Sequence, residues 1–238
     1  LSNYCVSIYR LIISNYLLNN LNLNIMKIAR FNLSLFGINT YALYDPATKD
    51  CAIIDPGMSS EAERNAVATF IDNNHLNLTH IINTHLHIDH AIGNSWLKSK
   101  YDAPVLASES DLPLGERMRE QATMFGLPIK VDAVEIDRKL NDGDIISIGE
   151  GRLRVITVPG HSKGSIALYD EADGFLISGD TLFAGGVGRT DLPGGSSKEL
   201  MESIHTKLFK LPKDTVVYPG HGPATTIGHE MHSNPFLQ

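Results

Sequence analysis

The chain has 238 residues, 42% of them hydrophobic and 20% charged, with a formal net charge of −7 at pH 7. That size suits one large or two small globular domains. The acidic balance, with no Lys/Arg-rich run, argues against nucleic-acid or anionic-membrane partners, and two cysteines, Cys5 and Cys51, are too few for a disulfide framework and suit a reducing, cytoplasmic setting.

Residues 1–25, "LSNYCVSIYRLIISNYLLNNLNLNI", are built almost wholly from Asn, Leu, Ile, Ser and Tyr, with Arg10 as the one charge. Three readings compete. A signal peptide or anchor fits poorly, because Ser14, Asn15, Asn19 and Asn20 break the apolar stretch and no small-residue cleavage site follows. An extra helix is the second. The third fits best: translation starts at Met26, and the upstream residues are read-through of AT-rich sequence, not native protein.

From Met26 to Gly57 the pattern predicts three strands, the last being "CAIIDPG". "SSEAERNAVATFIDNNHL" predicts a helix, with Ser60 and Glu63 as a capping box and Ala66, Val67, Phe70 and Ile71 as its apolar stripe. "LTHIIN" is a strand, residues 91–100 a short helix, and "PVLAS" a strand. A helix is expected around 115–125. The β pattern returns from "VEIDRKL" to "VITVPGHS", with "NDGD" as a turn, and "GSIALYDEADGFLISGD" is a hairpin. "SSKELMESIHTKLFKLP" is an amphipathic helix, and "DTVVYPGHGP" a final strand and loop. The order predicts one domain of two β-then-α halves, sheets inside and helices outside.

"INTHLHIDHAIGN" packs His85, His87, Asp89 and His90 into six positions. In an extended segment residues i and i+2 point to one side, so His85 and His87 reach a common point. As the chain turns towards a helix, Asp89 and His90 face a second point. Three more strand-then-loop segments each carry a candidate: His161 in "ITVPGHSKGS", Asp180 in "FLISGDTLFAGG" and His221 in "VVYPGHGPA". The glycine before each permits a sharp turn. Rigid strands that present reactive side chains on loops are what a functional site needs. His75, His80, His205, His229 and His232 stand alone and read as structural or solvated.

"THLHIDH", "GHSKGS", "SGDTLFAGGVGRTD" and "YPGHGP" resemble, in order, the metal-binding motifs of the metallo-β-lactamase superfamily. The resemblance covers Met26 to the C-terminus and implies an α+β fold, a single-domain four-layer αββα sandwich with a two-metal site at one edge. Residues 26–238 would be that hydrolase domain. His85, His87 and His161 would hold one metal, Asp89, His90 and His221 the other, and Asp180 would bridge them. Nitrogen and oxygen donors without thiolate suit Zn²⁺, and also Fe or Mn.

Within the superfamily, Asp180 argues against the antibiotic-hydrolysing branch, intact His87 against the flavo-diiron branch, and the acidic charge against the tRNA nucleases. "GDTLFAGGVGRTDLPGG" and "VYPGHGPATTIGHEMHSNPFL" resemble the short single-domain branch of glyoxalase II, the hydroxyacylglutathione hydrolases. Only residues 222–238 follow His221, where full-length glyoxalase II has a helical domain that contributes to glutathione binding. The resemblance implies a thioesterase acting on small molecules such as S-lactoylglutathione, in which two divalent cations share a bridging water and Asp89 takes its proton. The rivals are a persulfide dioxygenase, with one Fe(II) on His85, His161 and Asp180, and a lactonase. Asp55 is either an acceptor behind a ligand histidine or a turn residue. Arg189 would pair with a substrate carboxylate or with Asp191. Lys163 would face substrate or solvent, and Tyr218 packs in the core. Oligomeric state is not legible.

Overall fold

Strands that are apolar at nearly every position need cover on both faces, and most strands of this chain are of that kind. The structure, a computed structural model, describes residues 26–33, 36–127 and 131–238. The N-terminal extension and its three readings lie outside the described residues.

The first sheet has the order β1 (Lys27–Leu33), β2 (Ile38–Tyr44), β3 (Asp50–Ile54), β4 (Asn77–Ile82), β5 (Val105–Ala107) and β6 (Arg138–Lys139). Its first three strands pair antiparallel and the rest parallel. Five α-helical segments interrupt that half: α1 (Glu61–Asn73) between β3 and β4, α2 (Ile88–Ala91) and α3 (Asn94–Tyr101) before β5, and then α4 (Leu112–Gly115) and α5 (Met118–Met124). The second half contributes β7 (Ile145–Ile148), β8 (Gly151–Thr157), β9 (Ile166–Asp170) and β10 (Phe175–Gly179), a small ribbon of β11 (Leu182–Phe183) and β12 (Gly186–Val187), then α6 (Ser197–Thr206), β13 (Val216–Pro219), β14 (Thr225–Thr226) and α7 (Ile227–Ser233). The second sheet runs β14-β13-β10-β9-β8-β7.

The period-two alternation of each strand divides its residues between two cores. Tyr41 and Leu43 of β2 and Ala52 and Ile54 of β3 meet Leu153, Val155, Phe175 and Ile177 of the second sheet in the central layer. Their neighbours Ala42, Tyr44, Cys51 and Ile53 face outward onto Val67, Ile71, Leu97 and Met118 of the helices. Ile156 and Leu176 likewise face Leu200, Ile204 and Ile227. Each buried side chain of this size contributes about 1.5–3 kcal/mol. The result is the expected α+β arrangement of helix, sheet, sheet and helix in one domain.

Three elements differ from the sequence reading. The helix expected over 91–100 is present as α3, starting three residues later, and a separate single turn, α2, precedes it. They break at Gly93, whose N–H donates to Pro56 O at 2.8 Å, and a Cβ there would stand 2.6 Å from that oxygen. The helix around 115–125 is two short pieces, with Gly115 packed against Leu86 and Val134. The 214–223 segment is not the last element: β14 and α7 follow it, α7 being capped by Thr226, whose hydroxyl accepts from His229 N at 3.1 Å. Helix α1 carries its expected capping box, though Ala68 joins Val67 and Ile71 as a buried position while Ala66 and Phe70 are only half-buried. Among the described residues no helix is long and apolar enough to cross a membrane.

Candidate metal centre

β3, β4, β8, β10 and β13 all end at the same edge of the sandwich, and the residue or loop after each end carries a polar side chain into one cluster. After β4 the backbone bends at Thr84 and His85, is extended at His87 (φ −68°, ψ 151°) and then enters the single turn of α2. His85 and His87 end edge-on to each other, ring centroids 4.8 Å apart, and the helical turn sends Asp89 and His90 to a second pocket. Gly160 and Gly179 adopt φ +139° and +51°, the left-handed turns that aim His161 and Asp180 inward. Gly220 is needed for a different reason. Its φ is ordinary, but a Cβ there would lie 2.2 Å from Asp180 Oδ1 and 2.7 Å from His90 Cε1.

His85, His87 and His161 form one group of converging side chains, His85, His90 and Asp180 another, and Asp89, His90 and His221 a third. In the first, His161 Nε2 lies 2.9 Å from His87 Nδ1 and 3.2 Å from His85 Nε2. The hydrogen bonds behind these rings assign the tautomers. His161 Nδ1 is 2.7 Å from the carbonyl oxygen of Arg189, which only accepts, so the proton is on Nδ1. The Thr84 hydroxyl donates to Asp55 Oδ2 at 2.7 Å, so it accepts from His85 Nδ1 at 3.2 Å. The two facing Nε2 atoms are therefore bare lone pairs, which repel unless a cation stands between them. Burial, then the neighbouring histidines, holds His85 well below its ordinary pKa; burial and His161 bring His87 down to about 4.

The other pocket is rich in carboxylates. His90 Nε2 lies 3.3 Å from Asp180 Oδ1 and 3.8 Å from Asp89 Oδ2; His221 Nε2 lies 3.2 Å from Asp89 Oδ2 and 3.6 Å from Asp180 Oδ2. Asp180 Oδ2 is also 3.6 Å from His161 Nε2, so this carboxylate reaches both pockets. Burial alone would lower His90, but Asp180, Asp55 and Asp89 hold it well above its ordinary value. Burial would raise Asp180 and Asp89, but the histidines, His90 foremost, hold both low. His90 Nε2 and Asp180 Oδ1 are buried and have no hydrogen-bond partner of good geometry. Buried polar atoms left in this state are costly unless a ligand satisfies them. Lone pairs facing each other, orphaned polar atoms and an all-nitrogen-and-oxygen donor set fit divalent cations of the Zn²⁺, Fe or Mn kind.

The side chains behind the cluster are partly those expected. Asp55 sits at φ +51°, its Oδ1 accepting from Thr84 N at 2.7 Å, while its Oδ2 is 3.0 Å from His90 Nδ1. Thr40 holds it there by donating to Asp55 O at 2.6 Å and accepting from Gly57 N at 3.0 Å. Arg189 makes a bidentate pair with Asp191, both contacts 2.7 Å, on the exposed surface; its contribution to the cluster is its backbone carbonyl. Lys163 is exposed on the loop after His161, and Tyr218 packs edge-on to Tyr41 and Phe175. None of His75, His80, His205, His229 or His232 joins the cluster.

Sequence reading missed three supports. Asp111 accepts from Leu86 N at 3.0 Å, the Ser162 hydroxyl at 2.7 Å and Gly164 N at 2.6 Å. Gln121 accepts from Ile88 N at 3.0 Å and donates to Leu86 O at 3.2 Å. Asn39 donates to Pro219 O at 3.0 Å and Gly222 O at 2.8 Å, bracketing His221. Each acts across a long sequence separation, and no local pattern marks it.

Comparison with known proteins agrees with this geometry. A family model described as the metallo-β-lactamase superfamily matches residues 33–221. The hydroxyacylglutathione hydrolase GloC of Haemophilus influenzae is 39% identical over 214 residues, covering 89% of this chain and 98% of the relative. The crystal structure of the BLEG-1 B3 metallo-β-lactamase aligns with a TM-score of 0.80 at 34% identity, covering 89% of this chain and 99% of that one. That of TTHA1623 in a di-iron-bound form aligns at 0.76 and 36% identity, covering 87% and 99%. With the strand-end histidines and aspartates gathered at one edge of an αββα sandwich, the chain belongs to the metallo-β-lactamase superfamily of metallo-hydrolases.

Proposed function

We propose that this protein is a two-metal hydrolase of small thioesters, with glutathione thioesters such as S-lactoylglutathione as the first class to test. The observation that carries the reading is the carboxylate of Asp180, which lies within 3.6 Å of His90, His161 and His221 and so faces both pockets. In this reading His85, His87 and His161 hold one ion, Asp89, His90 and His221 the other, and Asp180 joins them. Divalent ions bound there polarise a carbonyl and lower the pKa of a coordinated water towards 7. Zinc is the first ion to test; the likeness to a di-iron-bound structure makes iron the second.

Asp89 is poised to accept a proton. It is partly exposed, and its carboxylate stays ionised beside His90 and His221. The thiolate leaving group of a thioester needs no strong general acid, and none is required of the chain. Lys163 is free to meet a substrate carboxylate from the exposed side, whereas the guanidinium of Arg189 is already engaged by Asp191. The 39% identity to a hydroxyacylglutathione hydrolase supports the thioester class. β-Lactam hydrolysis is a second reading, favoured by the likeness to a structure named as a B3 metallo-β-lactamase. Both are attacks on a carbonyl, so the substrate decides between them.

The test is a substrate panel with metal content measured on the same sample. Thioester hydrolysis with about two metal equivalents per chain is expected. Turnover of β-lactams alone would transfer the assignment to the second reading. One equivalent of iron with oxygen uptake on glutathione persulfide would replace it with a dioxygenase.

A further inference from the structure

We infer that Asp111 is a positioning residue that holds the three-histidine pocket together by tying the His85–His87 loop to the loop after His161; the inference rests on the metal-centre reading above. Leu86 stands between His85 and His87, and Ser162 directly follows His161. Both donate to the same oxygen, Asp111 Oδ2, while Gly164 N donates to Oδ1. Asp111 is 1% exposed, so water does not share in these bonds. The packing leaves no slack: a Cβ on Gly164 would stand 2.7 Å from Asp111 Cγ.

The chemistry demands a carboxylate. All three partners are donors. At Ser162 the direction follows from the carboxylate, which only accepts: the Ser162 hydroxyl donates to Asp111, so the Ser165 hydroxyl, 2.7 Å away, donates to Ser162 Oγ while accepting from Ser162 N at 3.1 Å. A side chain that only accepts satisfies all three. An amide of the same shape would turn its NH₂ group towards an N–H or O–H donor, leaving donors unpaired in a dry site. The tie is also needed where it stands. Bare nitrogen lone pairs of His85 and His161 face each other at 3.2 Å, and their repulsion pushes the two loops apart whenever no cation lies between them. The three bonds of Asp111 go to the two loops of the three-histidine pocket, whereas other side chains back the Asp89–His90–His221 pocket: Asp55 and Asn83 at His90, and Asn39 around His221. The effect of Asp111 is therefore confined to one pocket.

The test is competitive titration of the metal-stripped full chain with Zn²⁺ against a chromogenic chelator, in the parent, Asp111→Asn and Ser162→Ala. Two sites are expected in the parent. Asp111→Asn weakens one of them by about 10–100-fold and leaves the other within about threefold, the range that partners behind metal ligands command. Ser162→Ala, which keeps the bonds from Leu86 and Gly164, weakens the same site by less. The affected site is identified in two backgrounds. With His221→Ala the substitution at 111 keeps its full effect; with His87→Ala it has little. Equal weakening of both sites, or none, overturns the inference and leaves the metal-centre reading standing. A parent that binds no zinc and no iron overturns that reading itself. Should Asp111→Asn fail to fold, Ser162→Ala decides alone, and an unchanged first site in that variant overturns the inference.

Discussion

The two pockets of the centre are built from the same residue types to opposite electrostatic ends. The three-histidine pocket is buried, and two of its imidazoles, His85 and His87, are pushed towards their neutral forms by burial and by neighbouring histidines. The Asp89–His90–His221 pocket is more open, His221 being 29% exposed, and its carboxylates raise His90 and His221 instead. Without a metal the second pocket has an internal remedy, a proton on histidine between carboxylates. The first has less of one: His161 Nε2 has His87 Nδ1 at 2.9 Å and a single carboxylate, Asp180, at 3.6 Å, and His85 Nε2 faces it at 3.2 Å. The lesson is that a neutral ligand set must be held in place by hydrogen bonds from behind, whereas a charged set partly holds itself.

The sharpest way to break this contrast is to remove the group that belongs to both pockets. Asp180→Ala should lower hydrolysis by on the order of 10³-fold, several kcal/mol of lost transition-state stabilisation, and should reduce bound metal at both sites. Steady-state kinetics with metal analysis checks this, and retention of one full-strength site would mean that Asp180 serves one pocket only. Next in size is Asp55→Asn. Asn tolerates the positive φ of this position, so the backbone turn survives while His90 loses its carboxylate partner at 3.0 Å. Zinc affinity should fall about 10–100-fold at the Asp89–His90–His221 site, with a smaller loss at the three-histidine site, which Asp55 reaches only through the Thr84 hydroxyl behind His85. A greater weakening of the three-histidine site would undo the division of labour.

Smaller effects from outside both pockets calibrate the comparison. Ser60→Ala removes the cap that accepts from Glu63 N and should cost about 1 kcal/mol of stability by denaturant unfolding, with both zinc affinities unchanged. Asp173 lies at the tip of the β9–β10 hairpin, at the opposite end of β10 from Asp180. Burial lifts its carboxyl to about 6, with Asp170 adding to the shift. A carboxyl raised in the folded state binds its proton more tightly there than in the unfolded chain. Its stabilising contribution is complete below about 4 and is lost as pH rises through about 6. The melting temperature of Asp173→Asn relative to the parent should therefore increase from pH 4 to pH 7, and a difference independent of pH would show that burial does not act on this group.

How far the site was legible follows from how its parts are encoded. His85, His87, Asp89 and His90 sit within six residues, and the extended-to-helical change at Ile88 that separates their directions is itself local. His161, Asp180 and His221 each follow a strand and a glycine, so position and chemistry could be read together, although Gly220 serves by leaving space for Asp180 and not by its φ. Asp55 stood even between two readings until His90 was found beside it. Asp111 and Gln121 were not legible. "SESDLPLG" carries no pattern, and the partners of Asp111 are 25 to 53 residues away. The breaks at Gly93 and between α4 and α5 were missed for a related reason: close backbone packing against Pro56 and Leu86 overrode local helical preference.

By itself the sequence determined the layering and the cast of the centre. Period-two and period-3.6 patterns specify which faces are apolar, and reactive side chains on strand-end loops announce themselves by type and spacing. Tertiary structure alone decided the geometry between loops: which imidazole nitrogens are bare, which imidazoles are pushed towards neutrality, and which buried side chains hold the loops in register. Those depend on hydrogen bonds between residues far apart in the chain, each needing a donor and an acceptor within about 3 Å, and separation along the sequence carries no measure of that distance.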